Sequence, residues 1–225
     1  MLIPLCVRIQ LRNFYILSIL QGQANSIRHT SSINHNGEPI PWLTYPAIEY
    51  INQYNLKEMS VFEFGSGNSS RFWAKKAKKV ISIENDIKWF TYVKNYISGN
   101  QDIYLKTDKI SYVNMLQELG LKYDIIIVDG EWRSACVEKA VDYLEEGGMI
   151  IIDNSDWYPE SNNLLRSKGF FQIDFNGFGP INNICWTTSI FIKANNRIQK
   201  IFLNPVPTGG VKKYCDEDGQ ELHES

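Results

Sequence analysis

The run Asp124-Ile125-Ile126-Ile127-Val128 restricts the fold of this chain more than any other stretch. A strand with one wet face alternates apolar and polar residues. A strand that is apolar at every position must be covered on both faces, the situation of a parallel sheet sandwiched between helices. A second such run, Met149–Ile152, follows after enough chain for one crossover helix. Cys136, Val137, Ala140, Val141 and Leu144 give that helix an apolar face, and Gly147-Gly148 is expected to close it.

The same alternation extends towards the N-terminus. Ser60–Phe64 reads as a strand and Ser69–Lys79 as a helix, with Asn68 or Ser69 as its N-cap. A strand over Val80–Glu84, a helix over Asp86–Ile97 and a weak strand at Ile103–Leu105 follow. A short helix through Val113, Leu116 and Leu119 stops at Gly120. After a helix near 160–168, Phe170–Phe175 and Thr188–Lys193 read as two strands with no helix between them, a hairpin at the sheet edge. Right-handed βαβ crossovers over 60–153 predict an open α/β sheet with helices on both faces.

Residues 1–20 are apolar but broken by Arg8, Gln10, Arg12 and Asn13, short of the ~20 apolar residues of a membrane span. They contain no clean apolar segment followed by a small-residue cleavage site. An accessory helix packed on the domain or a partner is expected, with a membrane-surface helix as the alternative. Residues 21–40 are polar and turn-rich, a loop or lid, and a helix at about 45–55 follows Pro39 and Pro41. Residues 204–225 read as a loose polar tail. The expected organisation is therefore an accessory helix and lid over 1–44, one domain over 45–203, and the tail. A chain of 225 residues with 44% hydrophobic content supports one core. Its net charge of -2 gives no basic surface for nucleic acid. The Lys75, Lys76, Lys78 and Lys79 cluster reads as a solvated helix end. The four cysteines form no CxxC pair, which argues against zinc or a disulfide framework and fits reduced thiols in the cytoplasm.

In such sheets ligands bind at the carboxyl ends of the strands, where three groups of polar residues fall. The first is Glu63-Phe64-Gly65-Ser66-Gly67-Asn68. Its glycines allow a tight turn and close ligand approach, but the acid before Gly65 disfavours a pyrophosphate. It suits instead a ligand with a cationic amino group, such as the methionine part of S-adenosylmethionine. Ser70 stands where a G-x-G-x-x-G motif has its third glycine. The second is Glu84, roughly 20 residues further on, placed to accept hydrogen bonds from ribose hydroxyls. The third is Asp129-Gly130 and Asp153-Asn154, at the ends of two strands expected to be neighbours. Two carboxylates and an amide oxygen there form either a hard-oxygen site for Mg²⁺ or a metal-free polar pocket.

With these residues in hand, the chain resembles the class I S-adenosylmethionine-dependent methyltransferases over about residues 45–193. The resemblance is carried by E-F-G-S-G-N-S-S, Glu84, D-I-I-I-V-D-G, G-G-M-I-I-I-D-N-S-D and the final strand pair. It implies a Rossmann-like, doubly wound, seven-stranded sheet of order 3-2-1-4-5-7-6 with an antiparallel last strand. It also implies that Glu63, Gly65, Ser66, Gly67 and Asn68 line the methionine end of the cofactor, that Glu84 holds the ribose, that Asp108 contacts the adenine, and that Asp129 and Asp153 lie between cofactor and acceptor. The D-G and D-N pairs are similar to those of the catechol and caffeoyl-CoA O-methyltransferases, which bind a divalent metal there through residues matching Asp129, Asp153 and Asn154. The lysine base of that group is absent, and Arg133 is a poor base because it stays protonated. The surrounding text is closer to a methyltransferase domain 24-like branch.

The expected activity is methyl transfer to a small-molecule acceptor, at oxygen, with Asp129 or Asp153 as base, or a metal lowering the acceptor's pKa. Trp132, Arg133, Asn154 and Trp157 are expected to form the acceptor pocket, Arg133 suiting an anionic acceptor. His29 and His35 could enter on a lid, although surface positions are the commoner fate. The alternatives are a nicotinamide-dependent oxidoreductase, opposed by Glu63 and the missing glycine, or a cofactor-binding protein without turnover. No Asn-Pro-Pro-Tyr-like tetrapeptide follows the fourth strand to grip a flipped base.

Overall fold

A computed structural model of the chain describes residues 3–201, 205–210, 214–215 and 221–222. Seven strands, β1 (Ser60–Phe64), β2 (Lys79–Glu84), β3 (Gln101–Leu105), β4 (Tyr123–Val128), β5 (Leu144–Ile152), β6 (Phe171–Gly177) and β7 (Trp186–Ile192), form one sheet of order β3-β2-β1-β4-β5-β7-β6. The first five run parallel, and β7 is antiparallel to both β5 and β6. The strand order and the antiparallel final strand are those expected from the sequence.

The apolar runs do what their composition requires. Along β4, Ile125 and Ile127 join one core with Val61, Val80, Met149 and Ile151. Ile126 and Val128 join the opposite core with Phe62, Phe64, Ile81, Ile150 and Ile152. Helices α3 (Tyr45–Ile51) and α4 (Asn68–Lys76) cover the first face through Ala47, Ile48, Phe72 and Trp73. The second face is covered by α6 (Lys109–Val113), α7 (Met115–Leu119), α8 (Arg133–Tyr143) and α9 (Pro159–Ser167), which contribute Tyr112, Leu116, Val137 and Leu165. Helix α5 (Ile87–Lys94) is capped by the Asp86 side chain, which accepts from Trp89 N–H at 2.7 Å.

Several local expectations are corrected. The N-cap of α4 is Gly67, not Asn68 or Ser69, because helical bonding begins one residue earlier, at Asn68. Gly147-Gly148 does not close α8: the helix ends at Tyr143 and β5 is already extended through both glycines, with a register shift between Tyr123 and Ile125. Residues 21–40 are not all loop, since α2 (Gln23–His29) lies within them. Of the two placements expected for the N-terminal helix, on the domain or on a partner, the first does not apply to α1 (Leu5–Tyr15): none of its residues is buried, and the core is first met at Leu17. Ile40, Leu43 and Thr44 are already buried, so the core starts before residue 45. Of the expected tail, residues 204, 211–213, 216–220 and 223–225 lie outside the described residues. Thr208 N–H donates to Glu49, and Tyr214–Cys215 pairs with Glu221–Leu222. No helix among the described residues is long and apolar enough to cross a membrane.

Strand order reverses between β1, which continues to β2 and β3, and β4, which continues to β5. At such a point two adjacent loops leave in opposite directions and open a crevice beyond the strand ends.

Candidate functional site

The crevice is a cavity of about 400 Å³ at this switch point. Its walls come from the turn after β1 (Ser66, Gly67, Asn68), from Asp129 and Arg133 after β4, from Asp153, Asn154 and Trp157 after β5, and from Trp186 on β7. The N-terminal segment closes one side with Thr30, Ser31, Ser32 and Trp42. Asn68 Nδ2 donates to Ser31 Oγ at 2.7 Å and to the Ser32 carbonyl at 2.9 Å, which fastens that segment to the glycine turn.

The turn is built by close backbone packing. Gly65 has φ +113°, a conformation that only glycine adopts readily. A Cβ there would stand 3.2 Å from Gly130 N. The turns after β1 and β4 thus touch through two glycines. Behind them runs a buried relay: Gly67 N–H donates to Ser70 Oγ at 3.2 Å, and Ser70 Oγ–H donates to Glu63 Oε2. Ser70, where a third glycine was missed, supplies this link. Ser82 Oγ adds a second bond to Glu63 at 3.3 Å, while among the described residues none donates to Glu63 Oε1. Burial pushes the Glu63 carboxyl up to about 7, against the hydroxyl bonds that favour its charged form.

That shift has a stability consequence. The folded pKa lies above the unfolded one, so between about 4.5 and 7 the folded chain holds a proton that the unfolded chain releases. Glu63 therefore lowers stability as pH rises through this window, by up to roughly 1.4 kcal/mol per pH unit. Urea unfolding from pH 4.5 to 7 is expected to show this decline in wild type and a flatter profile in Glu63→Gln. Parallel profiles would contradict it.

Glu84 is buried at the end of β2. Its Oε2 accepts from Ser66 Oγ at 2.7 Å and its Oε1 from the N–H groups of Asn85 and Asp86 at 2.8 and 3.0 Å. Its carboxylate is therefore fixed before any ligand arrives. Glu63 and Glu84 stand behind the turn and not on the cavity wall. Trp89, unremarked in the sequence, lies across the turn: its Nε1 donates to the Ser66 carbonyl at 2.8 Å, and its ring stands 3.4 Å from where a Gly67 Cβ would be.

Asp153 and Asp129 meet as the neighbouring strands required. Asp153 N–H donates to the Val128 carbonyl and Asp129 N–H to the Phe64 carbonyl. Asp153 Oδ1 accepts from Trp186 Nε1 at 2.9 Å and Thr188 Oγ at 2.6 Å. Those two donors alternate along β7, a period-two signal that becomes readable once β7 is placed beside β5. Burial raises the Asp153 carboxyl to about 6 even so, and raises Asp129 well above the usual carboxylate range. The negative charge of Asp153 adds to the rise at Asp129, and Arg133 opposes it.

Arg133 occupies the ground between them. Nε donates to the Gly130 carbonyl at 2.9 Å. Nη1 donates to the Asp153 carbonyl at 2.6 Å and Asn154 Oδ1 at 2.8 Å, and Nη2 to the Asp129 carbonyl at 2.9 Å and Asp129 Oδ1 at 3.1 Å. All five guanidinium N–H groups are engaged. This corrects two expectations. Arg133 has no donor left for an anionic acceptor. The set Asp129, Asp153 and Asn154 does not fit a divalent cation, because a guanidinium already bonds Asp129 Oδ1 and Asn154 Oδ1, and Asp153 Oδ1 is taken by Trp186 and Thr188. Among the described residues, no group of three or more His, Cys, Asp and Glu side chains could hold a metal.

Three other placements differ from expectation. Asp108 is not brought to the cavity: it is an exposed N-cap of α6, accepting from Ser111 N–H at 2.9 Å. Trp132 is not on the acceptor wall but packs edge-on against Tyr112 at 5.2 Å. His29 and His35 are exposed, and neither lines the cavity. The non-glycine residues with positive φ among those described are Thr30, Trp132 and Asn154. Two of these line the cavity and the third stands between Asp129 and Arg133. Such conformations cost of order 1–3 kcal/mol each and tend to collect at functional sites.

No family model matches the chain, and no curated protein matches it in sequence. Solved structures do match in fold. A Staphylococcus aureus protein assigned as a caffeoyl-CoA O-methyltransferase aligns with 76% of this chain and 90% of its own, at TM-score 0.54 and 19% identity. Precorrin-6y C5,15-methyltransferase from Geobacter metallireducens aligns with 66% of this chain and 86% of its own, at TM-score 0.53 and 11% identity. An rRNA methylase from Streptococcus thermophilus aligns with 66% and 96%, at TM-score 0.51 and 20% identity. The chain thus has the Rossmann-like fold of class I methyltransferases, a fold whose members act on acceptors as different as small molecules and RNA.

Proposed function

We propose that this chain is an S-adenosylmethionine-dependent methyltransferase acting on a small molecule, at oxygen, with the cofactor held by the α/β domain. The observation that carries this reading is the arrangement of two buried acids, Glu63 and Glu84, behind a glycine turn at the switch point. A pyrophosphate would meet those charges, whereas the ammonium and ribose hydroxyls of S-adenosylmethionine would be matched by them. Ser66, Gly67 and Asn68 form the wall against which the methionine end lies, and Gly65 sets the turn behind them. Glu84, held behind the wall by Ser66 and two backbone N–H groups, is reached by the ribose when the Ser66 hydroxyl gives up its bond to Oε2.

S-adenosylmethionine supplies an activated methyl group on a sulfonium. The chain's own residues align the acceptor, exclude water and take up the acceptor's proton. Asp153 is the base: it lines the cavity, its Oδ2 is free of the bonds that hold Oδ1, and its pKa of about 6 suits proton acceptance near neutrality. Asp129 is paired with Arg133 and is a positioning group. Trp157 and Trp42, exposed at the cavity mouth, offer flat apolar walls. A small acceptor fits the cavity size and the net charge of -2, which gives no basic footprint for RNA. The described free cysteines, Cys6, Cys136 and Cys185, suit the cytoplasm.

The test is methyl transfer itself. Wild type incubated with methyl-tritiated S-adenosylmethionine and a panel of hydroxylated small molecules should release S-adenosylhomocysteine with at least one of them. Label appearing only in RNA would overturn the small-molecule reading, and cofactor binding without any transfer would support the reading without turnover.

A further inference from the structure

We infer that Arg133 is the resident cation of this site, seated where a divalent metal would otherwise be held, so that the strand-end acids work without a metal. The inference rests on the proposed reading of the cavity as an acceptor site, but its geometry does not depend on which cofactor binds.

Three side-chain groups suited to a hard cation converge after β4 and β5: the carboxylates of Asp129 and Asp153, and the amide oxygen of Asn154. Left alone, a buried carboxylate (Asp153) and a partly buried one (Asp129) side by side repel each other and call for a counter-charge. The sequence supplies one from the first residue of α8. Trp132 takes a left-handed turn, φ +50°, which starts the helix so that residue 133 faces back to the strand ends. The guanidinium then bridges the two loops, reaching Asp129 on one side and the Asp153 carbonyl and Asn154 amide on the other. One of its faces is covered by the Tyr158 ring, 5.6 Å from the guanidinium carbon. A planar donor fork satisfies these five acceptors in a way that a point charge cannot. Metal entry would need this network broken and two like charges placed side by side.

The consequence is a latent metal site, readable without any enzyme assay. Mn²⁺ titration followed by electron paramagnetic resonance would be run on the full chain as wild type, Asp129→Asn, Arg133→Ala and Arg133→Ala/Asp129→Asn. Wild type and Asp129→Asn should bind Mn²⁺ equally weakly. Arg133→Ala should gain affinity by at least about tenfold, and the double variant should lose that gain. Wild-type binding that falls on Asp129→Asn would overturn the inference, as would a folded Arg133→Ala that gains nothing. If Arg133→Ala does not fold, Arg133→Met preserves bulk without donors and takes its place, and the wild-type against Asp129→Asn comparison still decides. S-adenosylhomocysteine binding by wild type, measured separately, distinguishes failure of this inference from failure of the methyltransferase reading.

Discussion

Asp153→Asn is expected to lower turnover by about 10²–10⁴-fold, the range for loss of a positioned general base. The change is close to isosteric. The Asn side-chain oxygen still accepts from Trp186 Nε1 and Thr188 Oγ, so the loop after β5 keeps its shape. What disappears is the capacity to take a proton at the second oxygen. Two further readouts separate this from damage to the fold. S-adenosylhomocysteine affinity should stay within about threefold of wild type, because Asp153 is not among the groups proposed to hold the cofactor. The pH profile should also change. Since the base acts when ionised, wild-type turnover should rise with pH through about 6 and level above it, and the variant should lose that step. Unchanged turnover in Asp153→Asn would remove Asp153 from the mechanism.

Gly130→Ala should unfold the site from its centre. Its Cβ would lie 2.1 Å from Tyr112 Oη and 2.9 Å from the backbone nitrogen of Gly65. Neither neighbour yields easily. Tyr112 is fully buried against Phe64 and Trp132, and Gly65 N–H is bonded to the Ile83 carbonyl. Relief requires the turns after β1 and β4 to separate, which also moves the wall of the cofactor site. A loss of roughly 3 kcal/mol in urea unfolding is expected, the upper part of the range for overpacking. S-adenosylhomocysteine binding should disappear with it. Wild-type-like stability and binding in this variant would show that the two turns are not held together as described.

What was legible in the sequence follows from where the physics is local. The apolar runs of β4 and β5 could only be doubly covered strands, and the glycine turn and Glu84 stood at the distance a βαβ unit sets. The details that failed depended on three-dimensional neighbours. The register shift that lets β5 absorb Gly147-Gly148 depends on its pairing with β4. Trp132 has the composition of a pocket residue, but its left-handed backbone turns it onto Tyr112. Asp108, expected at the adenine, caps α6 instead, with Ser111 three residues on. Arg133 was read as a free cation because the sequence does not show that five acceptors converge on it. The hold of Ser31 and Ser32 on Asn68 joins segments 36 and 37 residues apart and has no local signature.

The central claim, that two buried acids behind the glycine turn hold S-adenosylmethionine, is tested most directly by calorimetric titration of the whole chain with S-adenosylhomocysteine, beside Glu84→Ala and beside NADH. The account predicts binding by wild type, a loss of roughly tenfold or more in Glu84→Ala as the ribose loses its acceptor, and no binding of NADH. Binding of NADH without S-adenosylhomocysteine, or full affinity in Glu84→Ala, would contradict it.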